Sequence, residues 1–289
     1  MKKELRRMVG ASVLICTVLL INACKKDFYG NAAYDVANSA SAYFKVVHSS
    51  VNFRSITGKA DSFNVYVNNQ KVNGQFLTYN SMFPTSVYAS ATGITNSYIA
   101  IQPGTEEIKL MGLDSTVITT FNKTFLPGRY YTLLLTDSMM NTRDSSKIFI
   151  EDAFTSVMPI SPGFFRARFI NAVYNDSATI STKTNTVDIF SYARNTTVAT
   201  KLSANGITAF TDLGYNIAVT DTFYVTRTPA SSGIVPLSQR VVLSKIALVP
   251  QSATVAGIAN QRVYTFYYKG NGTATSGSRA RALVYYINK

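Results

Sequence analysis

The chain has 289 residues, a net charge of +13 and 46% hydrophobic residues, with one His, two Cys and no Trp. That apolar share belongs to a folded core rather than to disorder, and the length allows one or two domains. One His and two Cys leave too few ligands for a Cys/His zinc site and too few thiols for a disulfide scaffold, so neither a metal nor a cofactor is expected.

Lys2, Lys3, Arg6 and Arg7 precede Met8–Ile21, an uncharged apolar run of 14 residues. A membrane-spanning helix needs about 20 residues, so the run suits a signal-peptide core, and residues 1–23 read as a cleaved signal. Ile21-Asn22-Ala23-Cys24 resembles the bacterial lipobox. The resemblance implies a diacylglyceryl group on the Cys24 thiol, and cleavage at Ala23–Cys24 that frees its amine for a further acyl chain. Two or more chains hold a protein stably on a membrane. A plain secretory signal with an incidental cysteine is the alternative. Cys16 is discarded with the signal, which leaves Cys24 alone and no intramolecular disulfide. Lys25, Lys26 and Asp27 resemble the short charged export tag of surface lipoproteins of the Bacteroidota. This implies an outer-membrane anchor facing outward, with the periplasmic side as the alternative. Residues 28–41 are small and polar and read as a tether, so that 24–41 comprise the lipidated cysteine and the tether.

Beyond the tether, short β-branched and aromatic runs alternate with Gly, Asn, Asp, Ser and Pro, the pattern of an all-β chain. Phe63–Val67 alternates and is followed by Asn68-Asn69 as a turn. Ser97–Ile101 runs into Pro103-Gly104. Glu107–Leu110 alternates as a strand with one buried face should. Pro127-Gly128 turns the chain into Arg129–Leu135, and Lys147–Ile150 closes the set. The set then recurs. Lys45–Ser49 aligns with Arg168–Ala172 at an offset of 123, Phe63–Tyr66 with Val187–Phe190 at 124, and Arg129–Leu133 with Arg262–Phe266 at 133. The reading is two tandem Ig-like antiparallel β-sandwich domains, 42–155 and 164–289, joined by a linker at 156–163 that contains Pro159 and Pro162-Gly163.

Lys45–Ser50 followed by Phe63–Asn68 resembles the opening of the bacterial domain-of-unknown-function family 4397, with Pro103-Gly104 and Gly128–Thr132 fitting its later part. In the second copy Asn171 and Ala172 replace His and Ser, while Val187-Asp188-Ile189 keeps the acidic position. The resemblance implies exported Ig-like modules on envelope proteins and supplies no catalytic residues.

Catalytic constellations are sparse. A Ser–His–Asp triad would have to use His48 with Ser49 or Ser50, yet neighbours on a strand point to opposite faces. Paired carboxylates for glycosidase chemistry could come from Glu106, Glu107, Asp114, Asp137, Asp144, Glu151 and Asp152, but no pair stands out. Thr136, Asp137, Ser138, Asn141 and Asp144 carry oxygens without the spacing of a calcium loop. Asn122-Lys123-Thr124 and Asn195-Thr196-Thr197 fit a glycosylation acceptor that is usually silent in bacteria. No catalytic residue and no metal ligand is assigned, and an enzyme is not expected.

Charge is uneven. Residues 164–289 carry thirteen basic and four acidic residues, a net +9, whereas 24–163 are nearly balanced with eleven basic and ten acidic. Arg166, Arg168, Arg262, Lys269, Arg279 and Arg281 read as a surface for an anionic partner such as acidic polysaccharide, lipopolysaccharide or an acidic envelope protein. Export disfavours nucleic acid. The function expected is a non-catalytic outer-membrane lipoprotein, an interaction, adhesion or structural envelope module. The alternative is a glycan-binding accessory of a polysaccharide uptake system, against which zero Trp weighs.

Overall fold

Phe63–Val67 and Glu107–Leu110 follow the alternation read from the sequence. The structure is a computed structural model, and it describes residues 41–51, 53, 61–84, 87–89, 93–95, 98–136, 147–153, 160–174, 186–216, 218–227, 235–251, 257–272, 274 and 276–288. The signal segment, Cys24, the Lys25-Lys26-Asp27 tag, the tether before Ser41, and Asp137, Ser138, Asn141 and Asp144 lie outside these residues. Among the described residues there is no α-helix, and one 3-10 turn spans Leu237–Gln239. The chain is all-β.

The first set comprises β1 (Ala42–His48), β2 (Phe63–Val67), β3 (Gln70–Lys71), β4 (Met82–Phe83), β5 (Val87–Ala89), β6 (Gly93–Thr95), β7 (Ile99–Ile101), β8 (Gly104–Gly112), β9 (Val117–Phe125), β10 (Tyr130–Leu135) and β11 (Lys147–Glu151). The second comprises β12 (Phe164–Tyr174), β13 (Val187–Ser191), β14 (Thr196–Leu202), β15 (Thr211–Gly214), β16 (Asp221–Arg227), β17 (Val241–Leu248), β18 (Val263–Asn271) and β19 (Ala282–Ile287). β11-β10-β1-β4, with β7 also on β1, is matched by β19-β18-β12-β15. The partner sheet β3-β2-β8-β9 is matched by β14-β13-β16-β17. Among the described residues the β5–β6 hairpin has no counterpart in the second set.

Registers make the repeat exact to the residue. β1 runs parallel to β10 with Lys45 opposite Thr132, and β12 runs parallel to β18 with Arg168 opposite Thr265. These four residues are the ones that offsets of 123 and 133 bring together. The parallel pairs depart from the expectation of purely antiparallel sheets. Each repeat's first strand lies beside its second-last, and chain direction there makes them parallel. Turn geometry repeats as well. The N–H of Gly128 bonds to the Ser41 carbonyl, and that of Gln261 to Phe164. His48 and Asn171 each accept from an asparagine at positive φ, Asn80 (72°) and Asn205 (58°), a conformation that Asn tolerates better than most residues.

One face of each sheet fills a core. Phe44, Val46, Leu133 and Leu135 meet Val65, Val67, Ile108 and Leu110 in the first repeat, and Phe169, Phe266 and Tyr268 meet Ile189, Phe223 and Val225 in the second. Each repeat is thus a two-layer sandwich. The Tyr131 hydroxyl accepts the Leu126 N–H at 3.0 Å, and the Tyr264 hydroxyl accepts the Ala259 N–H at 2.7 Å. In both repeats a tyrosine ties the start of a strand to the backbone five residues upstream, as tyrosine corners do in sandwich folds.

Candidate functional site

The other face of the β1/β10 sheet is also covered, because the two repeats pack sheet against sheet. Alternation sends Phe44 and Val46 into the core and Lys45 and Val47 out of it. Val47, Leu134, Ile148 and Ile150 of the first repeat form one apolar cluster with Ile170, Ala172, Tyr267 and Tyr286 of the second. Both faces of β1 and β18 are therefore dry.

Charges are set into this seam. Asp152 is buried, and three groups donate to its carboxylate: the Tyr98 hydroxyl at 2.8 Å, the Thr132 hydroxyl at 2.6 Å and the Arg168 guanidinium. Arg168, 2% exposed, also donates to Thr265 Oγ1 at 2.9 Å and to the Tyr286 hydroxyl at 3.3 Å, and its plane lies 4.7 Å from the Phe210 ring centre. Thr265 donates to Asn288 Oδ1 at 2.7 Å, and Asn288 donates to the Tyr98 hydroxyl at 2.6 Å. The ion pair Arg168–Asp152 therefore crosses from one repeat to the other. Burial opposes the guanidinium charge most strongly of any single cause, but Asp152, Tyr286 and Tyr98 together more than offset it and hold Arg168 above its usual range.

Lys45 occupies the position equivalent to Arg168. It is fully buried, with Nζ 3.5 Å from the Ile287 carbonyl and about equally far, 5.0 and 5.1 Å, from the rings of Tyr98 and Tyr286. Burial pushes its pKa down to about 7, against an upward pull from Asp152. The near-symmetry of the seam is broken at Asp152. Asp152 and Asn288 occupy equivalent positions, their N–H groups bonding to the equivalent carbonyls of Tyr130 and Val263. Arg168 faces a carboxylate across the seam, and Lys45 reaches the carbonyl of Ile287, the residue before Asn288.

One side of the seam opens into a cleft of about 690 Å³ between β11 and the segment leading into β15. Ile150, Glu151 and Ala153 form one wall, with Ile207, Phe210 and Arg166 on the other. Arg166 makes a bidentate ion pair with Asp212, at 2.6 and 2.8 Å. Nearby, Tyr43 stacks on Tyr130 at 4.4 Å and Tyr98 meets Tyr130 edge-on, in one cluster with Phe210.

Of the six basic residues singled out from the sequence, Arg166, Arg168 and Lys269 are buried. Arg166 and Arg168 are committed to Asp212 and Asp152. Lys269 is buried, donates to Asn80 of the first repeat and lies 5.0 Å from the Tyr79 ring. Arg279 pairs with Asp61, also across the repeats. Arg262 and Arg281 are half-buried. Three of the six thus join the repeats.

His48 lies in a box of Phe53, Phe63 and Tyr79. Its Nε2–H donates to the Asp61 carbonyl at 3.1 Å, and burial lowers its pKa to about 4. Ser49 donates to the Leu135 carbonyl at 2.8 Å, so the two side chains do not meet as nucleophile and base. Among the candidate carboxylates, Glu106 is buried within β8 against Asn68, Glu151 pairs with Arg129, and Asp114 caps a turn through Thr116. Among the described residues no group of three or more His, Cys, Asp or Glu is placed to hold a metal, and no helix is long and apolar enough to cross a membrane. Asp152 was visible in the sequence only as one acid among many. Tyr98, Asn288 and Lys45 gave no site signal, although the Lys45/Arg168 and Thr132/Thr265 alignments already contained the seam. The chain matches no family model and no curated protein.

Proposed function

We propose that the chain is a non-catalytic, lipid-anchored outer-membrane protein whose two Ig-like sandwiches act as one interaction module on the cell surface. The observation that carries this reading is the fate of Asp152. The most deeply buried candidate acid has its oxygens taken by Tyr98, Thr132 and Arg168, so its charge is used to join the repeats rather than held ready for proton transfer. The lipobox at Ile21–Cys24 supplies the anchor, and Lys25-Lys26-Asp27 the route outward. The test is Cys24→Ser in cells fed labelled palmitate. Loss of label and release from the membrane fraction is the expected outcome, and unchanged fractionation overturns the anchor. Protease added to intact cells digests the wild-type protein if it faces outward.

A second reading, a glycan-binding accessory, is favoured by the seam cleft, since ligand sites of about 300–1,000 Å³ commonly form between packed units. A glycan array probed with the mature protein decides it, and absence of binding removes this reading.

A further inference from the structure

Both repeats begin at one end of the molecule. Tyr43 and Tyr130, at the starts of β1 and β10, share an apolar cluster with Val263, the first residue of β18, and with Ile160 shortly before β12. The opposite ends are tied in the same sense, Lys269 to Asn80 and Arg279 to Asp61. Ser41, where the tether meets β1, lies at the first end, and its carbonyl accepts from the Gly128 N–H.

Five large apolar side chains are exposed on the turns of that end. Leu126 follows β9 and stands two residues before Gly128. Phe164 opens β12 opposite Gly214. The Tyr215 N–H bonds to the Gly163 carbonyl, so the segment that reaches Val219 passes over the same end. Val249 follows Leu248, which pairs with Asp221 at the start of β16. The Tyr192 N–H donates to the Thr222 carbonyl, one residue on from Asp221, and the Tyr192 side chain is 63% exposed. The acids nearest this end are engaged within the chain: Glu107 with Lys109, Glu151 with Arg129, and Asp221 with Arg194. Asp212 and Glu106 are taken by Arg166 and Asn68. Charge therefore selects no partner here, and the apolar tips carry the chemistry.

The far end also exposes apolar residues, among them Phe76, Leu113 and Val117, so exposure alone does not choose between the two. The tether does. Residues 25–41 join Cys24 to β1, and a random coil of that length has a root-mean-square span of about 20–25 Å. β8 and β9 are nine residues each, which puts the Leu113 turn about 30 Å farther off.

We propose that this end of the molecule docks on the lipid surface to which Cys24 is attached, with Leu126, Phe164, Tyr192, Val219 and Val249 seated at the boundary of headgroups and acyl chains. Apolar tips leave water there, a tyrosine suits the interface, and the polar backbone of the turns stays among hydrated headgroups. The module then stands upright, with the β8–β9 turn outermost. This rests on the reading of the chain as lipid-anchored and names the surface that orients it.

The chain has no Trp, and Cys24 is the sole thiol of residues 24–289. A single introduced Trp thus reports its own position, and the Cys24 thiol can be coupled to a maleimide lipid whether or not cells lipidate it. The mature chain is coupled to vesicles of phosphatidylcholine and phosphatidylglycerol, with brominated or plain acyl chains. Leu126→Trp should lose about half its emission or more in the brominated vesicles, since interfacial apolar side chains sit about 5–10 Å into the boundary. Phe76→Trp, at the far end, should lose none. Val219→Glu combined with Val249→Glu should cut the loss at Leu126→Trp about threefold or more, with an unchanged thermal melt. If Leu126→Trp melts early, Tyr192→Trp takes its place as reporter. Equal quenching at the two ends, no quenching at either near-end reporter, or quenching untouched by the paired Glu substitutions overturns the proposal. Chemical coupling does not depend on lipidation in cells. Failure of docking is therefore read separately from failure of the anchor, which the Cys24→Ser fractionation reports.

Discussion

Lys45 is the residue most exposed to pH. Its folded pKa of about 7 lies below the unfolded value of 10.5. Between those values the unfolded chain holds the extra proton, so stability rises with pH through that window and is lower and flat below it. His48 acts in the same direction at lower pH. Its folded value of about 4 lies under 6.5, so stability falls as pH drops from 6.5 towards 4. Tyr98 and Tyr286 set the ceiling. Burial raises both above 10.0, and the unfolded chain loses their protons first at high pH. The melting temperature should therefore climb from pH 7 to about 10 and then decline. Lys45→Met should flatten the climb above pH 7 while leaving the fall below pH 6.5. A climb that persists in this variant assigns it to another group. Asn288→Asp tests the broken symmetry: a carboxylate at that position draws the Lys45 pKa upward, and the onset of the climb should move to higher pH.

At the scale of elements, the repeated tyrosines give the cleanest comparison. Tyr131→Phe and Tyr264→Phe each remove an acceptor from one backbone N–H and leave the ring in place. Each should cost about 0.5–1.5 kcal/mol in urea denaturation. A cost near zero at both would mean that water replaces the hydroxyl. These strands were legible because period-two alternation is a local signal: Phe63–Val67 and Glu107–Leu110 bury every second residue as read. The repeat was legible because equivalent positions carry the same physical demands, Thr132 and Thr265 among them. The seam was not. A strand buried on both faces looks like a core strand, and nothing local to Lys45 or Arg168 distinguishes a cation that faces solvent from one that faces another sheet. Basic composition suggested a surface for anions, whereas Arg168 and Lys269 are buried between the repeats. The acid that receives Arg168 comes from the other repeat, 16 residues away in sequence, where no periodicity points.

At the scale of the whole molecule, the seam decides whether the repeats behave as one unit or two. Its apolar cluster is continuous from Val47 to Tyr286, and the Arg168–Asp152 pair is set beside it in a dry environment. Such a pair adds little over an apolar replacement, but losing one partner strands a buried charge, at about 3–5 kcal/mol. Arg168→Met and Asp152→Leu should each lower the urea midpoint sharply, and the double variant should recover much of the loss. Recovery will be incomplete, because Thr132 and Tyr98 also donate to Asp152 and lose their acceptor. The wild-type protein should unfold in one transition reported alike by far-ultraviolet circular dichroism and by tyrosine fluorescence. In either single variant the seam is the weakest part of the molecule, and the transition should split as the repeats part before they unfold. Two transitions in the wild type, or fully additive losses in the double variant, would mean that the repeats are neighbours rather than one cooperative unit.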